Sequence, residues 1–246
     1  MHGFISKLCI VLLLPLAACS KESSDKDVLI VGTNAEYPPY TFLKDREVVG
    51  FDIDVAKQVC DNLGKGMTIR NVPFDSLISD LVLHKVDFVA AGLTPTAERA
   101  RKVTFVKPHY SNDNLVVVTI KDGITDIQGL CGRSVVVNEG YTADLYMSQF
   151  NEIKILRLPA PADAFMALNT NRVDAFVTSK VTFDDFKATH PSCAYKFFYL
   201  TDSGTEDISM AVSKNNNALK AEIEAALEQM EVDGTLSALR NKWGLS

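Results

Sequence analysis

The sequence predicts an α/β protein built as two similar lobes, on two observations. From residue 28 to the C-terminus, apolar runs of strand length alternate with stretches whose apolar residues recur at helical spacing. Alternation of that kind favours helices layered on sheets over a sandwich or a bundle. The second half also echoes the first. One helix-patterned stretch runs into Val86-Asp87-Phe88-Val89-Ala90 and another into Val173-Asp174-Ala175-Phe176-Val177, each with Asp just ahead of a buried-strand pattern.

Taken in order, residues 28–33 read as the first strand. Residues 54–63 form an amphipathic helix closed by Gly64, a residue able to take the left-handed backbone that ends helices. A strand over 67–72, a helix over 75–83 and a strand over 86–90 follow, and the polar segment 97–102 reads as the start of another helix. Residues 115–120 and 208–212 are apolar runs. Residues 134–137, after the turn at Gly132-Arg133, read as a strand. The last helices are expected over 218–232 and 235–242, packing back on the first lobe.

Residues 1–18 read as a leader and not as part of the fold. Lys7 supplies a positive start, residues 8–16 are almost wholly apolar, and Leu16-Ala17-Ala18-Cys19 places small residues before a cysteine. The apolar stretch suits an export signal better than a membrane span. The ending resembles a bacterial lipoprotein signal, which implies Cys19 as an acylated N-terminus, a lipid-anchored tether over 19–27, and residence in the periplasm or on the extracytoplasmic face of a bacterial membrane. An ordinary signal peptide with an incidental cysteine is the other reading.

The remaining composition narrows the function classes. Nearly half of the residues, 47%, are hydrophobic, enough for a core, and no later run is long enough to cross a bilayer. A net charge of −6 with no basic block argues against nucleic acid. The four histidines have no close Cys/His spacing, so neither a metal site nor a cofactor is expected. With Cys9 cleaved off and Cys19 lipidated, Cys60, Cys131 and Cys193 remain, and an odd count leaves one thiol unpaired within the chain. Cys60, on the apolar face of its helix, reads as a small buried hydrophobe.

The stretch Ala91-Gly92-Leu93-Thr94-Pro95-Thr96-Ala97-Glu98-Arg99 carries the chemistry. It links a buried-strand pattern to a helix start, where free backbone N–H groups favour an anion. Arg99 can add a two-pronged contact to a carboxylate. Read alone, the loop fits equally a capped helix with Arg99 in solvent.

Three further segments join it in order: Gly32-Thr33-Asn34-Ala35-Glu36-Tyr37-Pro38-Pro39-Tyr40, Gly50-Phe51-Asp52-Ile53-Asp54-Val55-Ala56, and Asp233-Gly234-Thr235 ahead of Lys242-Trp243-Gly244. With the Thr96–Arg99 segment they resemble family 3 of the solute-binding proteins, which serve ABC importers of polar amino acids. The resemblance runs from about residue 28 to residue 246. It implies the periplasmic-binding-protein fold, two α/β lobes joined by two crossover strands that act as a hinge. The runs 115–120 and 208–212 look like those crossovers. Lobe one is then residues 28–112 with 207–246, and lobe two is residues 113–206. Cys131 and Cys193 both fall in lobe two, which makes them the expected bridge.

The resemblance also implies the site. Arg99 grips the ligand's α-carboxylate, Thr94 adds a hydroxyl, and Ala91 and Gly92 add the backbone of the same loop. From lobe two, Asn138-Glu139-Gly140-Tyr141-Thr142 supplies Asn138, Glu139, Tyr141 and a second carboxylate donor in Thr142. Tyr37 and Phe74 match the two aromatic walls around the ligand side chain, an arrangement suited to a planar cation. Phe74 reads equally as a core residue, and Tyr40 reads as core. Asn34 and Glu36 lie in the first pocket loop. An acid near an aromatic sandwich suits arginine or lysine, and arginine is preferred to glutamine or histidine, although Glu36 and Glu139 also fit solvated surface charges. The family commonly places Asp, for the α-ammonium, where this chain has Ser179; Glu139 and Asp184 are the candidates to compensate.

The function so implied is capture of a polar amino acid, arginine foremost, and its delivery to an ABC permease, with no chemistry and as a monomer. A periplasmic dehydratase or lyase on the same scaffold, and a ligand-sensing surface lipoprotein, are the alternatives. No Ser-His-Asp set, metal cluster or cofactor loop supports an enzyme, but a lone catalytic carboxylate such as Glu139 would leave no such signature.

Overall fold

Strand and helix alternate throughout residues 27–191 and 193–245, which are those that the structure, a computed structural model, describes. The leader, Cys19 and the tether up to residue 26 lie outside the described residues. The chain runs β1 (Val28–Thr33), a small ribbon of β2 (Glu36–Tyr37), β3 (Thr41–Lys44) and β4 (Glu47–Val49), then α1 (Phe51–Asn62), β5 (Gly66–Asn71), α2 (Leu77–Val82), β6 (Phe88–Val89), α3 (Ala97–Lys102) and β7 (Val103–Phe105). It continues through β8 (Tyr110–Thr119), β9 (Ser134–Asn138), α4 (Thr142–Met147), β10 (Lys154–Leu158), α5 (Pro161–Asn169), β11 (Ala175–Ser179), α6 (Lys180–Thr189) and β12 (Lys196–Tyr199). It closes with β13 (Thr205–Ile208), β14 (Ala211–Ser213), α7 (Asn217–Val232) and α8 (Thr235–Lys242).

These strands form two sheets of one design, and the fold is the two-lobe α/β periplasmic-binding-protein fold. The first sheet has the order β5-β1-β6-β14-β7 and the second β10-β9-β11-β8-β12. In each, three parallel strands are followed by an antiparallel one: β14 against β6 in the first sheet, β8 against β11 in the second. Each antiparallel strand enters its lobe from the other. The apolar runs at 115–120 and 208–212 belong to these two crossing segments. Residues 115–118 of β8 lie inside the second sheet and are apolar because both its faces are covered. Ile208 ends β13 opposite Tyr110 of β8, and Ala211 and Val212 open β14 in the first sheet. Leu115 and Val117 pack on one face and Val116 and Val118 on the other. The segments run side by side where β13 pairs with the start of β8, Thr205 opposite Asn114 and Glu206 opposite Asp113, and this stretch is polar.

The helices bury the faces their spacing demands. Phe51, Val55, Val59 and Cys60 of α1 and Leu219, Ile223, Leu227 and Met230 of α7 belong to one core with the first sheet. Burying each large side chain contributes about 1.5–3 kcal/mol, which holds the C-terminal helices on the first lobe. The helix read from residue 54 by apolar spacing begins at Phe51, within the segment 50–56; Asp52, buried on the inner face, interrupts the apolar spacing of the first turn. The helix expected over 75–83 opens as a 3₁₀ turn, Phe74–Ser76.

The expected bridge between Cys131 and Cys193 is absent: both thiols are free, as is Cys60. The second sheet stands between the two. Cys131 lies beside Ile127, Phe150 and Ile153 on one face, whereas Cys193 is next to Tyr195, which packs against Phe165 and Phe183 on the other. Sharing a lobe did not bring them together. Cys60 is buried as expected, and burial pushes its thiol up to about 11.

Candidate ligand-binding site

The anion loop leaves β6 and crosses to α3, whose first turn Thr96 caps by accepting a hydrogen bond from Arg99 N at 3.1 Å. The cap leaves the Arg99 side chain turned inward, and the residue is 8% exposed. Its guanidinium donates to Thr94 O at 2.7 Å on its own loop and to Gly140 O at 3.0 Å, just past β9 in the second lobe. Of the two readings of this loop, the solvated arginine is excluded. Arg99 spans the cleft.

Gly92 corrects a detail. Its N–H donates to Asp52 Oδ2 at 2.7 Å, so the group this residue can still offer is its carbonyl. Asp52 is itself fully buried and bonds His109 Nε2 at 2.9 Å through its other oxygen. The loop thus rests on a buried Asp–His pair. Gly92 has φ +60°, and a Cβ there would lie 2.7 Å from the Tyr37 ring, so close approach of the loop to Tyr37 requires glycine.

Tyr37 and Phe74 are both in the cleft, 6% and 9% exposed, but the space between them holds the ring of Tyr141. Tyr141 stacks on Phe74 with centroids 4.0 Å apart and meets Tyr37 edge-on at 4.8 Å. Its hydroxyl donates to Asn34 Oδ1 at 3.1 Å. A ring from the second lobe therefore stands where a two-walled sandwich was expected. Arg99 also lies over the Phe74 face at 5.2 Å. Tyr40 is core, as expected, with its hydroxyl donating to Asp113 at 2.7 Å.

The remaining residues separate by location. Ala91 is buried in the loop and Asn34 beneath it, its amide donating to Val72 O and Glu36 Oε2. Asn138 is buried at the end of β9 and donates to Leu158 O. Glu36 and Glu139 are exposed but converge. With Asp75, Phe74, Pro73 and Pro159 they line a hollow of about 80 Å³ at the cleft edge. Ser179 reaches the cleft with its oxygen already engaged, accepting from Thr182 N at 3.2 Å as the N-cap of α6. Neither acid named to compensate for Ser179 fits. Glu139 is at the rim, and Asp184 is exposed and paired with Lys180.

Two acids that the sequence did not single out lie inside. Asp113 on β8 and Glu206 on β13 are register partners, 1% and 6% exposed. Asp113 accepts from Tyr40 and from Val181 N at 3.2 Å, and burial raises its pKa. Glu206 accepts from Thr94 Oγ1 at 3.4 Å, and the Thr142 hydroxyl is near enough to favour its ionised form. Burial pushes it up to about 7, with Asp113 acting in the same direction and Arg99 against it. Arg99 is the only buried Arg or Lys among the described residues, and burial lowers its pKa. With both acids ionised, the three groups carry a net charge of −1.

The sequence matches a family described as "Bacterial extracellular solute-binding proteins, family 3" over residues 29–246. It is 31% identical to a probable ABC transporter arginine-binding protein, ArtJ, of Chlamydia trachomatis serovar D, over 99% of this chain and 96% of the relative. It is 31% identical to ABC transporter arginine-binding protein 1 of Escherichia coli K12, over 95% of this chain and 98% of the relative. Among solved structures, an ancestral arginine-binding protein bound to arginine superposes with a TM-score of 0.82 at 32% identity, covering 89% of this chain and 98% of that one.

Proposed function

Because this chain belongs to family 3 of the bacterial extracellular solute-binding proteins, we propose that it captures a basic amino acid, arginine foremost, between its lobes and delivers it to an ABC permease. The observation that carries the reading is Arg99, buried and reaching from the loop of one lobe to Gly140 of the other. Its guanidinium, with the Thr94 and Thr142 hydroxyls, suits the ligand's α-carboxylate. The charge of the interior supports a basic ligand. With Asp113 and Glu206 both ionised, an amino acid carrying +1 neutralises the −1 of the cleft, whereas glutamate would double the imbalance. The acid rim of Glu36, Asp75 and Glu139 beside Phe74 suits a guanidinium at the far end.

Lobe one in this reading is residues 28–112 with 207–246, and lobe two is residues 113–206. Tyr141 belongs to lobe two. Hinge opening withdraws it from Phe74 and Tyr37 and exposes both rings to the entering side chain, so that a ligand takes the place of Tyr141 between them. One chain supplies both walls of the cleft, so ligand capture needs no second subunit. That the relatives named above are binding proteins supports capture without chemistry.

A thermal-shift panel of arginine, lysine, glutamine and glutamate tests the ligand. Saturation at a hundred times Kd adds about 2.7 kcal/mol of native-state stability. Arginine is expected to raise Tm most and, in small-angle scattering, to reduce the radius of gyration. A larger shift with glutamate overturns the basic ligand.

The lipid anchor is proposed on Leu16-Ala17-Ala18-Cys19. Cys19→Ser is expected to move the protein from the membrane fraction to the soluble one. Retention through a high-salt wash overturns the acyl anchor.

A further inference from the structure

We infer that Glu206, on the returning crossover strand, is the carboxylate that binds the ligand's α-ammonium, a role for which Ser179 leaves no acid at the head of α6. The inference rests on the reading of the cleft as an amino-acid site. The placement argues for it. Glu206 is buried within the set assigned to the α-carbon substituents, 3.4 Å from the Thr94 hydroxyl of lobe one, with Thr142 of lobe two and Arg99 near enough to favour its ionised form. A zwitterion whose carboxylate lies at Arg99 carries its ammonium two bonds away, so the complementary anion must be close by. The alternatives do not serve. Ser179 spends its oxygen on the α6 cap. Asp113 already accepts from Tyr40 and Val181 N. Glu139 and Asp184 are exposed. The hydrogen bond to Glu206 comes from one neutral hydroxyl at 3.4 Å, weak support for a buried carboxylate, and an ammonium supplies the charge-assisted bond that such a group lacks.

The position has a consequence for hinge motion. An acid at the head of α6 would belong to one lobe alone. Glu206 lies on β13, paired with Asp113 of β8, where the two crossing segments run together. The ammonium then bonds the crossing strand itself, and the Thr94 hydroxyl of lobe one, which donates to Glu206 at 3.4 Å, is released to the ligand's carboxylate. Ligand binding and closure therefore share one group.

Ionisation of Glu206 provides a second readout. Facing it are Asp113 from β8, Arg99 from α3, Tyr37 from β2, and the hydroxyls of Thr94 and Thr142. The ammonium binds the charged form. Above about pH 7 the acid is already ionised in the free protein, and affinity is flat; below it, affinity falls toward tenfold per pH unit, because binding must first remove a proton. Stability without ligand has the opposite sign. The native pKa is raised from 4.5, so stability is lost as pH rises from there to about 7, a loss absent when residue 206 cannot ionise.

The test compares arginine with 5-guanidinopentanoate, which is arginine without its α-amino group, by calorimetric titration of the full chain. Glu206→Gln is expected to weaken arginine at least tenfold, to change 5-guanidinopentanoate less than threefold, to abolish the pH dependence of arginine binding between pH 6 and 8, and to raise the ligand-free Tm at pH 8. Equal weakening of both ligands, or unchanged arginine affinity, overturns the assignment. If the unaltered protein prefers another amino acid, the basic-ligand reading falls instead, and that amino acid and its desamino analogue take the same comparison, with the same outcomes deciding the role of Glu206.

Discussion

Arg99→Ala is expected to remove tight amino-acid binding, at a cost on the order of 2–5 kcal/mol, the range for truncating one partner of a buried, hydrogen-bonded charge pair. That corresponds to a loss of about thirtyfold to several thousandfold in Kd. Two effects add. The ligand carboxylate loses its cation in a buried site. The carbonyls of Thr94 and Gly140, which accept from the guanidinium at 2.7 and 3.0 Å, lose a donor that joins the two lobes. Arg99→Lys should recover only part of the loss, because a compact ammonium cannot reproduce the planar fork. Titration with arginine measures the effect, and circular dichroism checks that the lobes remain folded. Arginine affinity within twofold of the unaltered protein would remove Arg99 from the site.

Asp52→Ala should give the largest loss of stability, on the order of 2–5 kcal/mol, from leaving two buried donors unsatisfied at about 1–3 kcal/mol each. Both Asp52 and His109 are fully buried, and the carboxylate serves the His109 ring with one oxygen and Gly92 N–H with the other. Its removal strands both donors. His109 Nδ1 already has no partner, so the ring would be left without its bond to Asp52 as well. Urea titration at constant pH is expected to lower the midpoint with an unchanged slope. Arginine affinity should fall as well, because the loop that carries Gly92 and Thr94 loses its support. Asp52→Asn keeps an acceptor for one donor and should cost less. A change below 1 kcal/mol in the alanine variant would show that the pair is not a support for the loop.

Much of the architecture was legible because it is encoded locally. Apolar spacing marked β1, α1, α7 and α8, and the repeat ending at 86–90 and 173–177 became two sheets of one design. Arg99 could be picked out because the strand, the cap at Thr96 and the arginine are contiguous in the chain. Tyr37, Phe74 and Thr142 followed from motif positions, and all three border the cleft. Where reading by motif went further, it failed. The bridge between Cys131 and Cys193 was inferred from a shared lobe, but which face of a sheet a loop reaches is not encoded in its own residues.

What the sequence alone determined is the order of elements, the two-lobe design and the arginine loop, because periodicity, caps and turn residues act over a few positions. Only the tertiary structure decided what fills the cleft. Gly92 lost its free N–H to an aspartate 40 positions away, and Arg99 found a carbonyl 41 positions away in the other lobe. Tyr141 moved between Tyr37 and Phe74. Asp113 and Glu206 became neighbours because two crossing segments pair at the hinge. The physical reason is the same in each case. The energy of a buried charge or a stacked ring depends on groups from the opposite wall, and the fold, not the local chain, chooses which groups those are.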